Sequence, residues 1–205
     1  MFKVDEKTSE LILLQRMGYG LEPKETEAVA SAYYNDMSSA YSDIVKHIPA
    51  GYSSVLDIGC GIGGIDVLLG QKNPECEFAM LDRDGMESTI YYGFKESGAK
   101  YNYLSYTTQF MVSNGISENK IKTYNADAQQ WPEGTFDVIL SLISWGFHYP
   151  ISTYLYAAYN AMHSKSVMIL DIRHNSNGYD QLLGVFNHVR VIRRYSKCNR
   201  IIVKK

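Results

Sequence analysis

A short glycine-rich stretch, Asp57-Ile-Gly-Cys-Gly-Ile-Gly-Gly64, has the composition of a loop that binds a nucleotide-containing ligand. Glycine lets the backbone approach a ligand closely and adopt positive φ angles that other residues avoid. The stretch contains GxGxxG, the pattern of dinucleotide-binding loops, at Gly59, Gly61 and Gly64. It also contains DxGxGxG, which begins at Asp57 and fits S-adenosylmethionine. The loop alone therefore leaves two cofactors open.

Asp57 distinguishes between these cofactors, because it stands at the end of a predicted strand, two positions before the first glycine. An ionised carboxylate beside the pyrophosphate of a dinucleotide would meet like charge, which weakens binding. S-adenosylmethionine has no phosphate and presents an ammonium and a sulfonium, which attract a carboxylate directly or through water. Asp57 therefore favours S-adenosylmethionine over a nicotinamide dinucleotide.

Two further acids follow predicted strands. Asp82 stands where the second strand ends, and a carboxylate there would bind ribose hydroxyls with either cofactor; Asp84 is the alternative. Asp127 follows the third strand, where a carboxylate can accept a hydrogen bond from the adenine amino group while the backbone N–H of Ala128 faces the ring. Ligands of open α/β sheets bind at the carboxyl ends of the strands, so we expect these acids to line one edge.

The hydrophobic pattern predicts the elements that would position these residues. Residues 24–48 carry apolar side chains at the spacing of one helix face. Five buried strands are predicted at 54–58, 77–81, 121–124, 136–140 and 166–171. Helices are predicted between them, including 63–69, 103–113 and an amphipathic one at 151–162. The last two β-rich runs, 188–195 and 200–204, are joined by a link too short for a parallel crossover and should form a hairpin. We expect an α/β fold: a doubly wound, mainly parallel, seven-stranded sheet ending in an antiparallel hairpin, with helices on both faces.

The order of VLDIGCGIGG, LD at Asp82, NADA at Asp127 and FDVILS from Phe136 resembles the class I S-adenosylmethionine-dependent methyltransferases over roughly residues 50–205. The resemblance implies methyl transfer from S-adenosylmethionine, with S-adenosylhomocysteine as the product. It further implies cofactor contacts at the following positions: Asp57, Gly59 and Gly61 at the methionine end, Asp82 at the ribose, Asp127 and Ala128 at the adenine, and also Ser141.

The resemblance leaves the methyl acceptor open, because function depends on the site and not on the fold. His148, in the segment that leaves the fourth strand, is the first candidate for a general base, and His174 is the weaker candidate. Packing or a place in the pocket wall is the alternative for each. The candidate substrate-binding residues are Tyr34, Tyr91, Tyr92, Tyr149 and Arg173, the last of which could bind a carboxylate or phosphate.

These residues favour O-methylation of a hydroxyl on a small molecule, with a sugar as one candidate, ahead of carboxyl or N-methylation. A nucleic-acid methyltransferase, a nicotinamide dehydrogenase and a non-catalytic cofactor-binding subunit are the competing hypotheses. The net charge of −2 provides no global positive field for nucleic acid. Ser141-Leu-Ile-Ser144 also differs from the Asp/Asn-Pro-Pro-Tyr/Phe loop typical of amino-group DNA methyltransferases. No clustered metal-ligand set is present, so no metal is predicted.

Length and composition predict one domain over residues 1–205, with a helical cover at 1–50, a core at 51–205 and an insertion at about 85–101. Three widely spaced cysteines suggest a reducing, cytoplasmic environment without disulfides. We expect a monomer or homodimer with no membrane partner. Residues 189–205 contain seven Lys and Arg and no acid. This segment is predicted to be a charged sheet edge, or alternatively a contact surface for an acidic partner.

Overall fold

A computed structural model describes the whole chain, Met1–Lys205. The helices are α1 (Glu6–Gln15), α2 (Thr26–Ile44), α3 (Gly64–Lys72), α4 (Leu104–Ser113), α5 (Leu155–Asn160) and α6 (Gly178–Leu183). The strands are β1 (Ser54–Ile58), β2 (Glu77–Asp82), β3 (Gly85–Met86), β4 (Tyr101–Asn102), β5 (Ile121–Asn125), β6 (Phe136–Ser141), β7 (Met162–Arg173), β8 (His188–Arg194) and β9 (Cys198–Lys204). None of the helices combines the length and apolar character needed to cross a bilayer.

Seven strands form one sheet in the order β5-β2-β1-β6-β7-β9-β8. The first five are parallel to their neighbours, while β9 runs antiparallel to both β7 and β8. The predicted fold class, a mainly parallel seven-stranded sheet that ends in an antiparallel hairpin, is therefore confirmed.

Alternate side chains of the central strands enter two separate cores, as the two-residue period of a strand requires. In β1, Val55 packs with α1, α2, α3 and α4 on one face, whereas Leu56 packs with α5 and α6 on the other. Because both faces are covered, β1 and β6 consist mostly of buried apolar residues.

The predicted amphipathic helix at 151–162 is wrong at its last two residues. Its first turn is a 3₁₀ helix at Ile151–Thr153, α5 ends at Asn160, and Met162 already belongs to β7. The Ser166 hydroxyl accepts a hydrogen bond from His163 N–H at 2.9 Å and donates one to the Phe136 carbonyl at 2.6 Å. These bonds lie at an irregularity in the β6–β7 pairing. They satisfy backbone groups there, and β7 starts at Met162, four residues before the predicted start of this strand at 166.

The residues between β2 and α4 return to the sheet edge through β3 and β4, which pair antiparallel. Asn102 anchors the end of this segment, since its side-chain amide donates hydrogen bonds to the Gly61 carbonyl at 2.8 Å and to Thr107 Oγ1 at 3.1 Å. The segment is thereby held beside the glycine-rich loop.

Candidate functional site

A cavity of about 280 Å³, called here the main cavity, lies at the carboxyl edge of β1, β2, β5 and β6. Its floor is formed by the glycine-rich loop and the ends of these strands. Its cover comes from α1, α2 and residues 92–102 of the segment between β2 and α4. The strand ends thus meet as expected for a parallel sheet.

The glycine-rich loop is tied to the end of β2. Gly59 N–H donates to the Leu81 carbonyl at 2.7 Å, and Gly61 N–H donates to Asp82 Oδ2 at 2.8 Å. Gly59 has a φ of +76°, and a Cβ at this position would stand 1.7 Å from Ser144 Oγ. Glycine is therefore required at position 59 for two reasons, the backbone angle and the close approach of the loop that follows β6.

Asp57 lies at the floor of the main cavity beside Asp66 of α3. The Asp57 side chain is 4% exposed, and its Oδ1 has no hydrogen-bond partner. Burial, together with the neighbouring charge of Asp66, raises the pKa of Asp57 well above its ordinary value. Burial also raises the pKa of Asp66 to about 6. The two acids therefore lie close enough for the charge of one to oppose ionisation of the other.

Asp82 faces the main cavity from the end of β2. Its Oδ1 accepts a hydrogen bond from Arg83 N–H at 2.8 Å, while Oδ2 accepts from Gly61 N–H and, at 3.3 Å, from the Asn102 amide. Burial raises the pKa of Asp82 to about 6 against the opposing effect of these bonds. Asp57 and Asp82 therefore place two acidic groups in the lining of the cavity, and the buried Asp66 adjoins Asp57.

Asp127 lines the cavity after β5, the strand next to β2. Arg83 Nε donates to its Oδ1 at 2.7 Å, and Lys100 Nζ lies 2.7 Å from its Oδ2. Burial alone would raise the pKa of Asp127, but the hydrogen bonds from Lys100 and Arg83 outweigh it and lower the pKa. Asp127 is therefore an ionised acceptor at neutral pH.

Three of the residues predicted for catalysis or substrate binding line the main cavity: His148, Tyr92 and Tyr149. His148 Nδ1 lies 3.3 Å from the Gly93 carbonyl, and burial lowers the pKa of the imidazole. Burial raises the pKa of the Tyr149 phenol well above its ordinary value, so this residue is neutral. The cavity therefore presents a neutral imidazole and two phenol side chains.

The remaining predicted positions lie outside the cavity: Tyr34, Tyr91, Ala128, Ser141, Arg173 and His174. The Ser141 hydroxyl is buried and donates to the Ile58 carbonyl at 2.8 Å, which holds the loop after β6 in place. Arg173 Nε donates to the Phe147 carbonyl at 2.7 Å instead of facing the cavity. Tyr34 packs against Phe2 with ring centroids 5.2 Å apart. Tyr91, Ala128 and His174 are exposed.

The cavity residues that were not identified from the sequence include Gln15, Arg16 and Tyr154. Gln15 Oε1 accepts a hydrogen bond from Ile62 N–H at 3.3 Å. The Tyr33 hydroxyl accepts one from Gly64 N–H at 3.2 Å, which satisfies a free donor in the first turn of α3. The helical spacing of Tyr33 favours core packing over a place in the pocket, and the structure shows Tyr33 both in the core and in the cavity lining.

Several solved structures with a similar fold are methyltransferases. A candidate O-methyltransferase from Nostoc punctiforme matches with a TM-score of 0.62 and 15% identity over 87% of this chain, which spans 58% of that protein. A methyltransferase from Pyrococcus furiosus matches with a TM-score of 0.58 and 16% identity, over 82% of both chains. The 16S rRNA N2 methyltransferase of T. thermophilus, solved with AdoMet and guanosine, matches with a TM-score of 0.56 and 12% identity over 82% of this chain and 42% of its own.

No protein-family model and no curated protein sequence matches the chain. At identities of 12–16%, the structural likeness concerns the fold. The protein has the fold of the class I S-adenosylmethionine-dependent methyltransferases, in agreement with the resemblance of its motifs.

Proposed function

We propose that this protein is an S-adenosylmethionine-dependent methyltransferase acting on a small molecule. The observation that carries the proposal is the buried Asp57 carboxyl, whose Oδ1 has no partner at the floor of the main cavity. An ammonium group there would gain a hydrogen bond and a charge partner, which a buried acid otherwise lacks. The pyrophosphate of a dinucleotide would instead meet the acids Asp57 and Asp82, so it fits this part of the cavity poorly.

The residues of the cavity fit the parts of S-adenosylmethionine in order. Asp57, Gly59 and Gly61 would hold the methionine end, and Asp82 the ribose hydroxyls. Asp127, kept ionised by Arg83 and Lys100, would accept from the adenine amino group. When bound, this cofactor supplies an electrophilic methyl group on a sulfonium.

We propose a hydroxyl as the acceptor, because His148 can serve as its general base. The lowered pKa of His148 keeps the imidazole neutral at physiological pH. With Nδ1–H directed at the Gly93 carbonyl, the lone pair of Nε2 is free to take the hydroxyl proton. Tyr92 and Tyr149 would contact the acceptor, and the cover over the cavity limits it to a small molecule. A carboxylate acceptor would need no base.

The proposal is tested by identifying the chemical group that receives the methyl. The protein is incubated with methyl-labelled S-adenosylmethionine and separate pools of small hydroxyl, carboxyl and amine compounds, with total RNA as a further arm. We expect label in a hydroxyl compound, as an ether that survives mild alkali. Label released by alkali would identify a methyl ester and reject the hydroxyl assignment, and label in RNA would reject the small-molecule assignment.

A further inference from the structure

A second cavity, also of about 280 Å³, adjoins the main cavity. It lies between α2, the loop after β6 and the turn between β8 and β9. Four residues line both cavities: Arg16, Met37, Leu142 and Ile143. A molecule bound in the second cavity therefore extends toward the methionine end of the main cavity, where the methyl group would be offered.

Arg200 supplies a buried donor without a partner to this second cavity. It stands opposite Asp171 in the pairing of β9 with β7, and its Nε and Nη2 each donate to the Asp171 carboxylate at 2.9 Å. The residue is 3% exposed, yet its Nη1 makes no hydrogen bond. The nearest carboxylate oxygen to Nη1, Asp43 Oδ2, is 3.8 Å away. A buried donor left unpaired is costly, so this geometry indicates that an acceptor completes it.

The other charges that line the second cavity are mostly positive. Lys197, in the turn between β8 and β9, is exposed and has no ion-pair partner. Arg16 lines the cavity together with Asp36, whose Oδ2 lies 3.3 Å from Arg16 Nε. Asp36 is the one acid in the lining, against Arg16, Lys197 and Arg200. This arrangement favours a ligand with negative charge.

The wall between the two cavities is held in a strained conformation by the same acid that orients Arg200. Ile143 has a φ of +55°, a region that β-branched residues rarely occupy, and its N–H donates to Asp171 Oδ2 at 3.2 Å. Asp171 thus positions both the dividing wall and the Arg200 guanidinium. Such strain persists where the surrounding structure over-determines it, which is common at ligand sites.

We infer that the second cavity binds an anionic group, a carboxylate or a phosphate, carried by the methyl acceptor. Arg200 Nη1 and Lys197 donate to its oxygens, while the rest of the acceptor passes Ile143 to reach the main cavity. This inference rests on the proposed methyltransferase function and narrows its substrates to small acidic molecules. It also gives a specific role to two cations of the basic C-terminal segment.

The inference is tested by NMR titration, in which the methyl resonances of Ile143 are observed in isotope-labelled protein with and without S-adenosylhomocysteine. The probes are para-hydroxybenzoate, phenyl phosphate and the neutral isostere para-hydroxybenzamide. We expect at least one of the anions to bind about tenfold more tightly than the amide, since a hydrogen bond to a charged group is stronger than a neutral one. The better of the two anions identifies the group as carboxylate or phosphate.

Two variants assign the binding to named side chains. Lys197→Gln should lower the affinity for the anion about fivefold, as expected for the loss of an exposed charge. The control is Lys165→Gln, at an exposed lysine near the opposite end of β7, which should leave the affinity unchanged. Arg200→Lys keeps a cation beside Asp171 but removes Nη1, so the affinity for the anion should fall at least tenfold. If Arg200→Lys does not fold, the Lys197 variant still provides the test.

Equal binding of amide and anions, or wild-type anion affinity in Lys197→Gln, would overturn the inference. The control with S-adenosylhomocysteine separates the two proposals. Anion binding at Ile143 without any binding of S-adenosylhomocysteine would reject the methyltransferase function, and with it the acceptor role of this site. Binding of S-adenosylhomocysteine without anion binding would reject the anion site alone.

Discussion

Lys100 Nζ lies 2.7 Å from Asp127 Oδ2, which joins the segment between β2 and α4 to the end of β5. Arg83 Nε contacts the other carboxylate oxygen at the same distance. The two cations come from opposite ends of that segment, so Asp127 closes it against the sheet edge. Asp127 is also the residue proposed to accept a hydrogen bond from the adenine amino group. The same carboxylate therefore anchors the segment and contributes to the proposed cofactor site.

Removing the Lys100–Asp127 ion pair should make the segment between β2 and α4 more mobile without unfolding the protein. In Lys100→Gln we expect faster amide hydrogen exchange over residues 95–101 and weaker S-adenosylhomocysteine binding. The free energy of unfolding should fall by less than about 1 kcal/mol, because the side chains of Lys100 and Asp127 are 28% and 29% exposed. Lys122→Gln, an exposed lysine of β5 without an ion pair, is the matched control. Unchanged exchange in Lys100→Gln would show that the ion pair does not hold the segment.

The buried acids should make stability depend on pH in an unusual direction. The pKa of Asp66 is about 6 in the folded protein, above the value of about 4 expected when unfolded. Between these values the folded state binds the proton more tightly, so this group's contribution to stability is lost as pH rises through about 6. Asp66→Asn should therefore match wild type near pH 4 and become more stable than wild type at pH 7. Denaturant unfolding across that range measures the difference.

Asp180→Asn, on the exposed surface of α6, serves as control for the loss of one carboxylate. A constant difference between wild type and Asp66→Asn at every pH would contradict the raised pKa of Asp66.

Loss of the proposed base should affect turnover and not cofactor affinity. We expect His148→Gln to lower kcat by about 10²- to 10⁴-fold, the usual contribution of a general base, while S-adenosylhomocysteine binds as in wild type. In wild type, kcat/KM should fall as pH drops through the pKa of His148, which lies below its ordinary 6.5. The variant should lack this dependence. His174→Gln, an exposed histidine outside the cavity, should behave as wild type, and equal turnover in both variants would remove His148 from the mechanism.

The close approach at Gly59 can be separated from its backbone angle. Gly59 and Gly51 have φ values of +76° and +72°, but a Cβ at Gly51 would meet nothing within 4 Å. In Gly51→Ala the free energy of unfolding should therefore fall only by the roughly 1–2 kcal/mol that a left-handed backbone angle costs a residue other than glycine. Gly59→Ala adds the clash with Ser144 and should be clearly less stable and unable to bind S-adenosylhomocysteine. Thermal unfolding of the two variants makes the comparison, and equal midpoints would show that the loop can move away from Ser144.

Much of the fold was predictable because its signals are local. Each central strand is a short buried apolar run, and a parallel sheet brings the carboxyl ends of such strands together. For this reason the sequence alone predicts that Asp57, Asp82 and Asp127 lie at one edge of the sheet. The helical pattern near Met162 places the end of the helix wrongly. The start of β7 depends on the hydrogen bond from the Ser166 hydroxyl to the Phe136 carbonyl of β6, which helical periodicity does not reveal.

The parts of the site that were not predicted depend on contacts between distant residues. Gln15 reaches the loop at Ile62, 47 positions later, through packing of α1 that no local pattern encodes. Asp66 is one acid in an otherwise ordinary helix until α3 places it beside Asp57. Arg200 reads as a charge on a sheet edge, and only the β7–β9 register shows it buried against Asp171. Long-range register and packing therefore determined what the sequence pattern left open.

Thermal unfolding with S-adenosylhomocysteine, S-adenosylmethionine, NAD and NADP, each in large excess, tests the central claim most directly. At about 100 times its dissociation constant a ligand adds roughly 2.7 kcal/mol to the free energy of unfolding, which raises the midpoint by several degrees at this chain length. We predict a shift with the two adenosyl compounds alone, which Asp57→Asn should abolish while keeping the unliganded protein folded. A shift with NAD or NADP and none with the adenosyl compounds would contradict the role assigned to Asp57 and the cofactor site built on it.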